Sequence, residues 1–225
     1  MLNCCFKRIR GLVETLKIKG RRKYINKTSK IRRKNISNNS FTIISNNCWA
    51  GFIYQSYGLK YNTPTIGMFF MADDYLKFIS DLEHYISIDK FEEVLPEKSK
   101  WYNVLKCKEN FGKYPIAKLE DIELHLLHYD NVKDAQNKWN RRKKRINYSN
   151  ILYKFSEMND FSEMNLVSFQ KLNLDNKLCF ISKKYKVYEN NYTFVVSNGY
   201  SDVRASQEPF GKSRIVNINE VINKM

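Results

Sequence analysis

The chain has 225 residues, 43% hydrophobic and 14% aromatic, a globular composition with enough length to bury one domain's core. No apolar run approaches the ~20 residues of a membrane-spanning helix, and no continuous apolar core near the start reads as a secretory signal. The formal charge of +16 suggests nucleic acid only until it is located: residues 1–40 hold thirteen Lys and Arg against Glu14 alone, so residues 41–225 carry only +4.

Residues 1–40 therefore read as a basic arm and 41–225 as an α/β domain. Within the arm, Leu2, Phe6, Ile9, Leu12, Val13 and Leu16 recur at spacings of three and four, with Lys7, Arg8, Arg10 and Lys17 between them. That pattern predicts a basic amphipathic helix suited to an anionic membrane surface, with residues 1–34 as the contact. A solvated tail is the plain alternative. Nucleic acid ranks behind both, because only Tyr24 offers a stacking ring among the basic residues of 19–34. Five cysteines without a framework spacing indicate a reducing compartment, so the expected location is cytoplasmic, peripheral at the inner face of the membrane.

After a polar joint at 35–40, Phe41–Ser45 read as a strand, followed by a helix from about Cys48 to Tyr57 that Asn47 caps and Gly58 stops. Thr65–Met71 read as a buried strand. Asp73 then opens a helix whose inner stripe is Leu76, Ile79, Leu82 and Ile86, and residues 87–113 read as short elements and loops. Strand 122–129 precedes a helix from about Val132 to Arg145. Strand 151–155, a helix over 161–171 and strand 178–182 follow, with further strand candidates at 193–197 and 214–218. Strands alternating with helices predict a three-layer α/β/α domain with a largely parallel sheet.

Chemistry-bearing residues cluster in three places. The first is Ser45-Asn46-Asn47-Cys48-Trp49-Ala50-Gly51, at the carboxyl end of a strand and the start of a helix. Open α/β sheets keep ligands at that edge, and free amides there favour an anion. Asn46, Asn47, Cys48 and Trp49 are ligand-binding candidates on this ground; Cys48 could also act as a nucleophile, against the plainer reading of caps and a small buried hydrophobe. The second is strand 121–129. Glu123 and His125 share one face, as a carboxylate orienting an imidazole would, while His128 stands nearer the carboxyl end, where a ligand is reached. The third is Trp139 to Arg145, with five cations; Trp139, Arg142 and Lys143 share a helix face and could hold a diphosphate, although such runs also serve simply as solvated helix ends. Asp73-Asp74 reads as helix-start acids rather than a metal motif. No Cys/His set has metal-ligand spacing and no glycine-rich phosphate loop is present, so neither a metal nor a cofactor is expected.

The turn at 45–51, Phe69-Phe70-Met71-Ala72-Asp73-Asp74, Tyr114-Pro115-Ile116, the segment Asp121–Tyr129 and the run Trp139–Asn147 occur in that order. Together, over about residues 40–200, they resemble a bacterial family catalogued as domain of unknown function 1919, whose members are commonly labelled exopolysaccharide or capsule biosynthesis proteins. The family's usual Trp-Gly-Gly turn reads Trp49-Ala50-Gly51 here. The resemblance implies a three-layer α/β fold and a pathway, not a mechanism. The expected function is thus a transferase of cell-surface polysaccharide assembly, with an anionic nucleotide-sugar donor over the Asn46–Trp49 turn and His125 or His128 as base for a glycan acceptor. Acyl or phosphoryl transfer to the glycan, and a non-catalytic glycan-binding accessory role, are the alternatives.

Overall fold

Strands covered on both faces read as apolar runs rather than as alternation, and the segments Thr42–Ser45 and Ile151–Ser156 are buried along nearly their whole length. The computed structural model describes residues 27–182, 190–196 and 215–225 continuously, with isolated residues at 13, 16, 17, 19, 20, 23–25, 185, 203 and 208. In chain order the elements begin with β1 (Thr42–Ser45), α1 (Trp49–Ser56), α2 (Ala72–Ser80) and α3 (Leu82–Ser87). Then come β2 (Glu92–Val94), a 3-10 turn (Pro96–Lys98), α4 (Tyr102–Leu105), β3 (Ile116–Leu119), β4 (Ile122–His125) and α5 (Val132–Lys143). The last are β5 (Ile151–Ser156), α6 (Glu163–Lys171), β6 (Asn176–Ile181), β7 (Thr193–Val195) and α7 (Ile218–Lys224).

Strands β1, β5, β6 and β7 pair in parallel in that spatial order. Ile43, Leu152, Leu178 and Phe180 enter one apolar layer with Trp49, Ile53 and Tyr54 of α1 and Ile218 and Ile222 of α7. Ile44, Ile151, Phe155, Cys179 and Ile181 enter the other, with residues of α2, α5 and α6. The sheet is therefore the middle of three layers, and its strands must be apolar on both faces. The free edge of β1 is closed by a side chain: the Tyr54 hydroxyl donates to Phe41 O at 3.1 Å and accepts from Ile43 N at 3.1 Å.

Several expected elements take a different form. The strand expected at 122–129 does not join the parallel sheet. It ends at His125 and belongs to an antiparallel unit, order β2-β3-β4, inserted between β1 and β5. The segment 65–71 is buried as expected, but it forms only one bridge, Phe69 to His125. A turn at Gly67 interrupts it, with φ +83 and the Tyr129 ring 3.0 Å from where a Cβ would stand. The helix expected from Asp73 breaks at Asp81 (φ −139, ψ 58) into α2 and α3, and Tyr75 and Phe78 join the inner stripe, in which Leu76 is only partly buried. The strand expected at 214–218 is not formed over its described residues 215–218: Asn217 caps α7, accepting from Asn219 N at 3.2 Å, and the helix begins at Ile218; Arg214, like Ser197, lies outside the described residues.

Asp73 and Asp74 do not cap. Met71 holds the cap position of α2 without a side-chain bond. Asp73 instead accepts from Asn165 of α6 at 2.6 Å. Asp74 is buried and accepts from Lys100 Nζ at 2.5 Å, Trp101 Nε1 at 2.6 Å and Glu123 N at 3.1 Å, tying the antiparallel unit to α2. Burial raises its pKa above the carboxylate norm despite the Lys100 and Trp101 bonds.

Leu2, Phe6, Ile9 and Leu12 of the amphipathic stripe lie outside the described residues, whereas Val13 and Leu16 are exposed. Residues 27–33 are helical, and the joint after them is anchored: Ser37 N and Oγ donate to Asn223 Oδ1 of α7, whose Nδ2 donates to Asn35 O.

The lysine on β5 dominates the sheet's electrostatics. Lys154 is fully buried, its Nζ 5.5 Å from the Trp49 ring centre and 5.6 Å from that of Phe180, and it pairs with the equally buried carboxylate of Glu208. Burial pulls the lysine below its ordinary pKa while Glu208 pulls it back. Removing one member of such a pair strands a charge and costs about 3–5 kcal/mol, while exchanging both for apolar groups is often near neutral. Lys154→Met or Glu208→Gln should therefore destabilise strongly in urea titrations, and Lys154→Met/Glu208→Leu should recover a large part of the loss. A double variant as unstable as the sum of the singles would show that the pair is not the coupled unit.

Candidate functional site

The turn after β1 turns inward. Asn46 bonds the backbone of Ser156 in both directions, Nδ2 to the carbonyl at 3.0 Å and Oδ1 from the amide at 3.1 Å, and so adds a rung between β1 and β5. Asn47 joins the lysine cluster: its Oδ1 accepts from Lys154 Nζ at 3.0 Å and Trp49 N at 3.1 Å, and its Nδ2 donates to Glu208 Oε1 at 3.1 Å. The Ser156 hydroxyl closes the network on Glu208. Trp49 is wholly buried. The expectation that Asn46, Asn47 and Trp49 face a ligand is thus corrected, because all three spend their polar groups or their ring on the interior. Cys48, partly exposed, lines an open hollow.

That hollow, about 200 Å³, lies beside the amino end of α1. Cys48, Gly51, His128, Tyr129, Lys138 and Arg142 are among its walls. His128 arrives there because β4 stops at His125 and the chain turns, with Tyr129 N bonded to Leu126 O at 3.1 Å and His128 N to Gly67 O at 2.9 Å. The strict alternation read for strand 121–129 ends at that turn. Arg142 is held in place by the Tyr129 hydroxyl, which accepts from Nη1 at 2.8 Å, and lies over the Tyr61 ring at 5.2 Å. Lys138 pairs with Asp134 at 2.6 Å and sits over the Tyr129 ring.

The rest of the tryptophan-led run goes elsewhere. Trp139 is in the core, 6.0 Å from Phe78 and 5.4 Å from Phe91. Lys143 donates to the carbonyls of Ile86 and Ser87 at the end of α3 and pairs with Asp89 at 2.7 Å. It complements the carboxyl end of α3 instead of standing as a solvated end of its own helix. The Glu123–His125 pair does not form either. Glu123 accepts from Ser99 Oγ at 2.6 Å and Lys100 N at 2.9 Å, while neither ring nitrogen of His125 bonds any described residue. His125 is buried, stacked on Phe69 at 4.6 Å with its edge toward Tyr114, and burial together with the nearby Lys100 charge lowers its pKa to about 3. It stands neutral and unable to meet a solvent-borne ligand.

A second hollow of about 460 Å³ opens on the other side of the same turn, where Phe69, Tyr114 and Leu127 of the antiparallel side face Glu157 to Phe161 beyond β5. Leu127 lines the larger hollow and His128 the smaller, so consecutive residues form the divide. Among the described residues no group of three His, Cys, Asp or Glu side chains is placed to hold a metal ion, and no helix is long and apolar enough to cross a membrane.

The architecture is that of a three-layer α/β protein with these two hollows between the carboxyl end of a parallel sheet and an inserted antiparallel unit. The chain belongs to the family described as Domain of unknown function (DUF1919), which matches residues 19–217 and so takes in part of the basic segment. It is similar to a Haemophilus influenzae protein described as uncharacterized, 27% identical over 187 residues, 83% of this chain and 80% of that relative.

Sequence reasoning missed Lys154, Glu208, Tyr114 and Glu157. A lysine inside Ile151-Leu152-Tyr153-Lys154-Phe155 was a readable signal, since a strand covered on both faces buries whatever charge it carries. Glu208, fifty-four positions on, had none.

The state of His125 sets a pH dependence. Above its ordinary pKa of 6.5 folded and unfolded chains both leave it neutral; as pH falls from about 6.5 toward 3, only the unfolded chain takes up the proton, so stability falls. Between pH 7 and about pH 4.5 the His125 contribution lost is about 2–3 kcal/mol. His125→Phe should flatten the decline by that amount in urea titrations across pH. Parallel curves for the two proteins would show that the imidazole is not held neutral.

Proposed function

We propose that the protein is a transferase of bacterial cell-surface polysaccharide assembly, taking an anionic sugar donor at the Cys48–His128–Arg142 hollow. One observation carries the reading: Cys48 from one part of the chain and His128, Lys138 and Arg142 from another, some eighty residues on, converge on one opening at the carboxyl side of a parallel sheet. Lys138, Arg142 and the amino end of α1 supply positive potential for a phosphate or pyrophosphate. His128 is the imidazole at the opening and is the group we assign as base for an acceptor hydroxyl. The family resemblance supplies the polysaccharide pathway. At about 200 Å³ the hollow is smaller than the ~300–1,000 Å³ usual for a small-molecule site, so it suits the phosphates and leaves the sugar to extend past His128. The thiol of Cys48 in the same opening favours acyl transfer as the second reading.

Nucleotide sugars should raise the thermal midpoint, since a ligand at ~100 times its dissociation constant adds about 2.7 kcal/mol. Lys138→Ala should weaken that effect, and His128→Ala should abolish polymer in a complementation assay while leaving the fold intact. Stabilisation by acyl-coenzyme A alone would move the assignment to acyl transfer; normal polymer from His128→Ala would remove the base.

The proposed location is cytoplasmic, with residues 1–34 against the anionic inner face of the membrane. The charge of that segment and the exposure of Val13, Leu16, Tyr24 and Ile31 support it. The intact chain should float with anionic liposomes at low salt and be released at high salt. Equal flotation with neutral liposomes, or none with either, rules the electrostatic contact out.

A further inference from the structure

We infer that the larger hollow is a binding site for a pyranose ring, the acceptor end of the glycan if the transferase reading holds. Four rings, Phe69, Phe111, Tyr114 and Phe161, line it, and flat apolar walls of this kind suit the C–H faces of a sugar. Its volume of about 460 Å³ lies within the ~300–1,000 Å³ range of small-molecule sites.

The polar groups in the walls form a complementary set. Glu157 is almost fully buried and its Oε2 accepts from Ser182 N at 2.5 Å, yet its Oε1 meets no described residue. The Tyr114 hydroxyl likewise has no partner among the described residues, and burial pushes its pKa up to about 12, so it remains a donor at ordinary pH. An open acceptor and an open donor in one aromatic hollow match a hydroxyl-bearing ring. A purely apolar ligand would leave both without a partner.

The far wall is preformed. Asn159 and Asp160 both hold left-handed φ, 58° and 64°, a conformation that costs non-glycine residues of order 1–3 kcal/mol each unless the surroundings enforce it. Asn159 is held by its surroundings: its side-chain amide donates to Phe70 O at 3.1 Å, and its backbone carbonyl accepts from Ala72 N at 2.9 Å. Asp160 follows it on the same wall. The divide of Leu127 and His128 puts this sugar next to the proposed base, the arrangement an acceptor requires.

Saturation-transfer NMR with the full chain and a panel of free hexopyranoses and their methyl glycosides tests the site. At least one pyranose should give a signal that drops several-fold in Glu157→Gln and disappears in Leu127→Arg, whose side chain starts at the half-exposed rim and would fill the hollow. Lys138→Ala, in the neighbouring opening, should leave the signal unchanged. Should Glu157→Gln fail to fold, Leu127→Arg alone decides. No signal from any pyranose, or the same signal from every variant, overturns the site. A pyranose signal without stabilisation by nucleotide sugars keeps the sugar site and removes the transferase reading; the reverse result keeps the donor and removes this site.

Discussion

A lysine in the second strand of a four-stranded parallel sheet, covered on both faces, constrains everything at the sheet's carboxyl end. Its charge has no water, so Glu208 must come in from the last quarter of the chain to meet it. The remaining acceptor and donor capacity of that pair falls to Asn47 and Ser156, and the apolar side of the ammonium is covered by the Trp49 and Phe180 rings. The end of β1, the start of α1, the end of β5 and a remote carboxylate are thus registered against one another by a single buried ion. Such a cluster gives geometric definition more than net stability. It fixes where α1 begins, and with it where Cys48 surfaces.

The strand order explains why the openings are where they are. Each strand after β1 is added on the same side, so the described sheet has no reversal of order and no crevice of the usual switch-point kind. The antiparallel unit inserted between β1 and β5 supplies the opposing wall instead. Asp74 seats that unit on α2, the Phe69–His125 bridge closes it against the segment after α1, and the turn that follows β4 carries Leu127 and His128 between the two hollows.

Much of the framework was legible because apolar strand runs and helical patterns survive wherever packing is regular. β1, β5, β6, α1, α5 and α6 stand within a few residues of their expected bounds, and the parallel three-layer arrangement follows from them. The failures share a cause. Strand 122–129 looked like one element because alternation continues in the letters past His125, yet the backbone turns there to meet Gly67. Glu123 and His125 were read as partners from their shared face, but side chains on one strand face compete with everything packed above them, and Ser99 and Lys100 reach Glu123 first. Asn46 and Asn47 were placed correctly at the sheet edge and wrongly toward solvent, because the buried charge that draws Asn47 inward comes from β5. Of the basic run, the sequence could name the face but not which member would find an opening; Arg142 does, whereas Trp139 and Lys143 are used by the fold.

The phenol that covers the rim of β1 has a bearing on how this molecule behaves in a crowd. An uncovered outer strand offers a row of amides and carbonyls to any passing polypeptide, which is the usual seed of fibrous self-association. Here one tyrosine oxygen occupies two of those positions at once, mimicking the rung that a neighbouring strand would supply. Guarding that flank falls to α1, the same helix whose first turn shapes the cationic opening, so variation in this helix bears on colloidal behaviour as well as on chemistry.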